Sequence, residues 1–279
     1  MAKIFSSYLR ASLQVFICTL ILCSDGYSQK SQWTPVADGL EVAHFKVGRT
    51  SIVGDSTITV IRIDPAQWGV RLLSASETGG NNYTTKQWCE KYHLVAVVNA
   101  GMFQADYKSN VGYMKNYHHL NNPNIHPEYN SIAAFNPAKS GLLPFRIFDS
   151  EDKSIQEIIK NYNTVIQNLR LIKRPGENRW SQQSKIWSEV VLGQDKSGNV
   201  LFIFCRSPYS MHDFNDILIE LPIDLVCAQH LEGGPEAQLY LKYGDTELEM
   251  SGSYETNFFE NDENIKLWPI PNVIGIAKK

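Results

Sequence analysis

Two stretches of this 279-residue chain combine reactive side chains with the glycines needed to expose them. The first is Val95-Ala96-Val97-Val98-Asn99-Ala100-Gly101-Met102-Phe103; the second is Ala228-Gln229-His230-Leu231-Glu232-Gly233-Gly234-Pro235-Glu236-Ala237. Each is an apolar run that ends in glycine and polar residues. Glycine lets a backbone turn sharply and leaves its N–H donors unscreened, so a ligand can come close. At the end of a buried strand, Asn99 offers an amide and Glu232 a carboxylate, groups suited to binding a polar substrate and moving a proton on it. Pro235 is expected to push Gly234 toward an extended conformation and hold the loop rigid. The same pattern also describes an ordinary exit from strand to turn, and the residues alone leave both readings open.

Short β-type runs bounded by turn residues must position these groups: residues 40–47, 57–63, 70–74, 95–99, 131–135, 164–172, 186–192, 200–206, 226–231, 238–243 and 272–277. Helices are expected from a cap at Thr84 or Thr85 to Tyr92, over 154–162 and over 211–221. In the last, Ser210 and Asp213 have capping-box spacing, and Phe214, Ile217, Leu218 and Leu221 form an apolar face to lay on a sheet. Asp195-Lys196-Ser197-Gly198-Asn199 reads as the hairpin loop joining 186–192 to 200–206. The expected fold is α+β: a mixed, largely antiparallel β-sheet core with flanking helices in a single domain. Residues 104–129, rich in Asn, His, Tyr and Pro, read as a long polar loop.

Asn99-Ala100-Gly101-Met102-Phe103 resembles the pattern Asn-Gly-Gly-Phe-Phe, and Leu231-Glu232-Gly233-Gly234-Pro235 resembles Leu-Asp-Gly-Gly-Gly or -Pro, both of the phosphodiester glycosidase family. Their order and separation also agree, over residues 95–276. The resemblance implies hydrolysis of a sugar 1-phosphodiester at the glycosidic bond, with Glu232 at the family's acidic position and Asn99 hydrogen-bonding sugar or phosphate. Gly101, Gly233 and Gly234 would then face substrate, with Glu189 as a second carboxylate and Phe103 and Trp187 stacking on a sugar ring. Phe, Trp and a strand-borne Glu equally suit core and solvent-facing roles. The chain departs from the pattern in two places. Glu236 and Ala237 stand where serines usually follow the glycines, which puts Glu236 beside the substrate. No arginine opens the strand Lys185-Ile186-Trp187-Ser188-Glu189; Arg206, which precedes Ser207-Pro208-Tyr209-Ser210, is the expected substitute, gripping phosphate with Ser210 nearby, although a surface arginine after a strand fits the same residues. These departures keep a rival reading open, a non-catalytic glycan or sugar-phosphate binding protein on the same fold.

His230 shares a strand face with Glu232, which suits either a hydrogen bond to it or a satisfied structural histidine. Asp106, His118, His119 and His126 match no zinc spacing, so no metal site is expected. No cofactor is expected either. Calcium would suit the many loop oxygens, yet no motif specifies it.

At the start of the chain, Lys3 and Arg10 precede a mainly apolar run over 11–23, too short to span a membrane and of signal-peptide length. Gly26 and Ser28 supply the small pair for cleavage between Ser28 and Gln29, so residues 1–28 read as a signal peptide and 29–279 as the exported domain. A periplasmic or secreted protein is expected; lipidation at Cys23 is disfavoured because Leu22 before it is not small. Removal of the leader leaves no membrane segment. A formal net charge of −3 without basic blocks argues against nucleic acid as a partner and leaves a carbohydrate or sugar-phosphate substrate. Of five cysteines, Cys89, Cys205 and Cys227 remain after cleavage; the last two sit in apolar runs and read as buried thiols, and their pairing is not specified by the sequence.

Overall fold

Period-two alternation along the strands decides how the sheets stack. The computed structural model describes residues 32–279, so the expected leader lies outside the described residues. The largest sheet runs β1 (Trp33–Ala37), β2 (Leu40–Lys46), β3 (Thr57–Ile63), β13 (Val200–Tyr209), β12 (Trp187–Asp195), β14 (Leu225–Gly233) and β11 (Arg170–Ile172). A second runs β16 (Thr246–Ser251), β15 (Gln238–Tyr243), β5 (Ala96–Asn99), β17 (Asn272–Lys278) and β4 (Trp68–Ser74). The third runs β7 (His119–Asn122), β6 (Met114–Asn116), β10 (Tyr162–Asn168), β8 (Ser131–Pro137) and β9 (Phe145–Asp149). The architecture is α+β. Every strand pair described is antiparallel, so the expected mixture with parallel pairs is not seen among these residues.

One face of each sheet closes on a shared core. Val200, Phe202 and Phe204 of β13 meet Val98 and Ala96 of β5 and Phe135 of β8 there. The opposite face of each sheet is covered by one helix. Leu201, Ile203 and Cys205 point from β13 to Phe214, Ile217 and Leu218 of α3 (Met211–Glu220). Trp88 of α1 (Thr85–Tyr92) covers Val97 and Tyr240, while Ile155 and Ile158 of α2 (Ile155–Asn161) cover Ile132 and Val165. Each large apolar side chain buried in this way contributes roughly 1.5–3 kcal/mol.

The helix starts follow from side-chain caps. Thr84, Ser154 and Ser210 each accept a backbone N–H three residues on. The reciprocal capping box forms at α1, where Gln87 reaches back to Thr84. At α3 it does not, because Asp213 turns instead to Arg49 and Gln182. Residues 104–129 are not one long loop: they contain β6 and β7, a hairpin turned at Tyr117 (φ 50°). Amides hold it, since Asn116 donates to Glu77 and Asn122 donates to the carbonyls of Asn110 and Val111. Cys89, Cys205 and Cys227 are free and buried.

Candidate active site

The glycine-rich segment is the crossing point between two sheets. β14 ends at Gly233, a single 3-10 turn follows over Gly234–Glu236, and β15 begins at Gln238 in the neighbouring sheet. Asn99, the last residue of β5, clips this crossing: its Nδ2 donates to the Glu236 carbonyl (3.0 Å) and its Oδ1 accepts from the Gln238 N–H (2.8 Å). Asn99 therefore spends its amide on the loop backbone and positions the loop. Gly101 sits beyond it against Asn110 and Asn168, where a Cβ would lie 2.5 Å from Asn110 Oδ1 and 2.6 Å from Asn168 Oδ1.

Both loop glycines are needed for close approach. A Cβ on Gly233 would lie 2.6 Å from Trp187 Cδ1. Gly234 adopts a left-handed conformation (φ +62°), not the extended one that Pro235 led us to expect, and a Cβ there would collide with the Glu255 carboxylate. Pro235 lies instead inside the 3-10 turn.

Four glutamates converge on this crossing. Glu232 is buried, its Oε1 accepts the Gly233 N–H (3.1 Å), and burial together with the charges of Glu236, Glu255 and Glu189 drives its carboxyl well above the usual carboxylate range. Glu236 is pushed up to about 7, first by burial and then by Glu255. Glu255, from the segment between β16 and β17, is raised by burial against the opposing pull of His230 and Lys185. Burial raises Glu189 as well, while His230 and Trp187 work against that rise.

The sequence places His230 with Glu232, but the two part company. Val190 pairs with Glu232 and Val191 with His230, so Leu231 is an extra residue, and this bulge redirects the neighbouring side chains. His230 Nδ1 contacts Glu189 Oε1, and Trp187 Nε1 donates to Glu189 Oε2 (2.6 Å). Glu189 thus has both oxygens engaged and is 1% exposed.

Other expected site residues lie elsewhere or serve the scaffold. Arg206 donates to the carbonyls of Ser251 (2.7 Å), Asp262 (3.0 Å) and Asn264 (2.8 Å) and pairs with the Asp262 carboxylate. Its guanidinium holds the segment that carries Glu255. Ser210 caps α3 and donates to Gln182. Phe103 is half-buried beside Tyr107, with ring centres 5.4 Å apart. His119 bonds Ser76, and His126 stacks on Tyr129. Among the described residues, His212, Asp213 and Asp216 form a group that could hold a metal, on α3; Arg49, Gln182 and Asn178 already engage its carboxylates. Glu255 is the acidic residue the sequence reading missed, since no motif surrounds it.

A glycine crossing lined by carboxylates with raised proton affinity is the equipment of a hydrolase working by acid–base catalysis. Residues 92–277 match the profile of the phosphodiester glycosidase family, and the chain belongs to that family. Its domain is accordingly that of a glycosidase acting on sugar phosphodiesters. The fold is shared with the zebrafish N-acetylglucosamine-1-phosphodiester alpha-N-acetylglucosaminidase catalytic domain auto-inhibited by its pro-peptide, at 16% identity and a TM-score of 0.60 over 88% of this chain and 85% of that one. A hypothetical protein from Synechocystis is similar at 12% identity and a TM-score of 0.57, over 87% of this chain and 63% of that one. No curated protein matches the sequence.

Proposed function

We propose that this protein is an exported hydrolase that cleaves the bond between the anomeric carbon of a sugar and the oxygen of its 1-phosphodiester, on a glycan or cell-envelope substrate. Glu232 donates a proton to the bridging oxygen as that bond breaks, and the electron pair stays on the departing phosphate. Water adds to the anomeric carbon, so the products are a free sugar and a phosphomonoester. The convergence of four glutamates on the glycine crossing carries this reading. Burial raises the proton affinity of Glu232 well above that of an ordinary carboxyl, the direction a proton donor requires. Trp187, packed on Gly233 and half-buried, offers a ring to a sugar. Glu189 holds His230 and Trp187 in place. The basic and apolar start of the chain supports export.

The test is a panel of sugar 1-phosphodiesters incubated with the protein and with Glu232→Gln, following free sugar and phosphomonoester. Turnover by the parent and a loss of about 100-fold or more in the variant are expected. Binding without turnover by the parent would replace this reading with that of a glycan or sugar-phosphate binder. N-terminal sequencing of protein recovered outside the cytoplasm should begin at Gln29.

A further inference from the structure

Glu255 comes from a part of the chain with no recognisable pattern, yet it is held as firmly as a strand residue. Its N–H donates to the Phe259 carbonyl and its own carbonyl accepts from the Phe259 N–H, both at 2.9 Å. On either side, the Tyr254 carbonyl accepts the Ser188 N–H (2.9 Å) and the Thr256 N–H donates to the Ile186 carbonyl (3.0 Å). These bonds lay the segment along β12, and Gly252 packs so tightly on the Gly234 carbonyl that a Cβ there would collide with it. The Glu255 carboxylate then rests over Gly234, in the space that the missing side chain leaves open.

The side-chain bonding separates this carboxylate from Glu189. Among the described residues no donor bonds the Glu255 carboxylate, whereas both oxygens of Glu189 are taken by His230 and Trp187. The charged groups around Glu255 are Glu232 and Glu236 on the crossing, Glu189 and Lys185 from the β12 side, and His230 on β14. A half-buried carboxylate, fixed in position and free to accept, is what activation of a water molecule calls for.

We infer that Glu255 is a second catalytic carboxylate of this site, accepting the proton of the attacking water while Glu232 protonates the departing phosphate oxygen. The inference rests on the hydrolytic reading above. In the step, the water oxygen bonds to the anomeric carbon and its proton passes to Glu255. The carbon–oxygen bond to phosphate breaks with its electron pair going to oxygen, which takes the proton of Glu232. One proton enters the pair and one leaves it, and exchange with solvent resets both groups. Glu236 senses both groups: its charge helps raise Glu232, and the charge of Glu255 helps raise Glu236.

The experiment compares the parent with Glu255→Ala on a substrate that the parent turns over. The variant should lose roughly 100- to 10,000-fold in kcat with KM changed by less than about threefold. Azide should restore rate and yield a glycosyl azide, and formate should restore release of free sugar, because a small anion fits the space vacated over Gly234. A kcat within about threefold of the parent overturns the proposal, as does a large loss that neither anion relieves. A second measurement needs no turnover and so separates failure of this inference from failure of the hydrolytic reading. In a carbon-13 titration of the glutamate carboxyls, the Glu236 midpoint, assigned with Glu236→Gln, should fall from about 7 when Glu255 becomes Gln. An unchanged midpoint would remove the two carboxylates from contact and overturn the assignment.

Discussion

Replacing Asn99 by Asp alters almost nothing in size and converts one donor into an acceptor. Oδ1 can still receive the Gln238 N–H, which lies 2.8 Å away in the parent. The atom that replaces Nδ2 faces the Glu236 carbonyl at about the 3.0 Å of the present bond, so two acceptors meet where a donor and an acceptor met. Leaving a buried polar group unsatisfied costs about 1–3 kcal/mol, and an extra buried negative charge beside Glu232 and Glu236 adds to it. A loss of roughly 2–4 kcal/mol relative to the parent is expected at pH 8 in urea denaturation. The introduced carboxyl can recover the lost bond only by holding a proton, and the same surroundings raise its proton affinity in the folded state. Its penalty should therefore shrink as pH falls toward 5, whereas Asn99→Ala should cost about 2–3 kcal/mol at both values. Turnover should fall in both variants, because the crossing that carries Glu232 and Glu236 loses its clip. An Asn99→Asp loss below about 0.5 kcal/mol at pH 8, or one equal at pH 5 and 8, would refute the positioning role.

Gly234→Ala should cost at least about 1–2 kcal/mol from its left-handed backbone alone and lower Tm by several degrees, with a larger loss of activity because Glu255 must move. Arg206→Ala should lower Tm through loss of its three carbonyl partners while leaving KM for a phosphodiester nearly unchanged, and a large rise in KM without loss of stability would return Arg206 to the phosphate. The raised proton affinity of Glu236 adds stability below its ordinary value of 4.5, and that contribution is lost as pH rises toward about 7. Discounted for solvent screening it amounts to about 1 kcal/mol, and Glu236→Gln should flatten the stability profile over that window. In protein that begins at Gln29, burial pushes Cys89 and Cys227 up to about 12 and raises Cys205 further, so an aromatic disulfide reagent should titrate no thiol until the chain is unfolded.

Where the sequence carried a strong period or a cap, its reading and the structure agree closely. Residues 57–63 and 238–243 are β3 and β15 to the residue, and Thr84, Ser154 and Ser210 mark the three helix starts. β6 and β7 were illegible because side-chain amides on Asn116 and Asn122, rather than alternating apolar residues, secure them. Glu232 was legible because glycines follow it on a buried strand. Glu255 was not, since its place depends on a segment folding back along β12 and on Gly234 leaving room. Arg206 shows the converse: its neighbours in sequence suggested an anion, but its partners are carbonyls 45 to 58 residues farther along the chain. The bulge at Leu231 likewise exchanged the partner of His230 from Glu232 to Glu189, a change that alternation alone does not reveal.

In the proposed reaction the bond broken lies between the anomeric carbon and oxygen, not between oxygen and phosphorus. Hydrolysis of a sugar 1-phosphodiester in water enriched in oxygen-18, with mass spectrometry of both products immediately after a short reaction, tests it directly. Cleavage at the anomeric carbon places the label at the anomeric position of the sugar and none in the phosphomonoester beyond exchange controls. Label in the phosphate instead would contradict it and make the enzyme a phosphodiesterase attacking phosphorus.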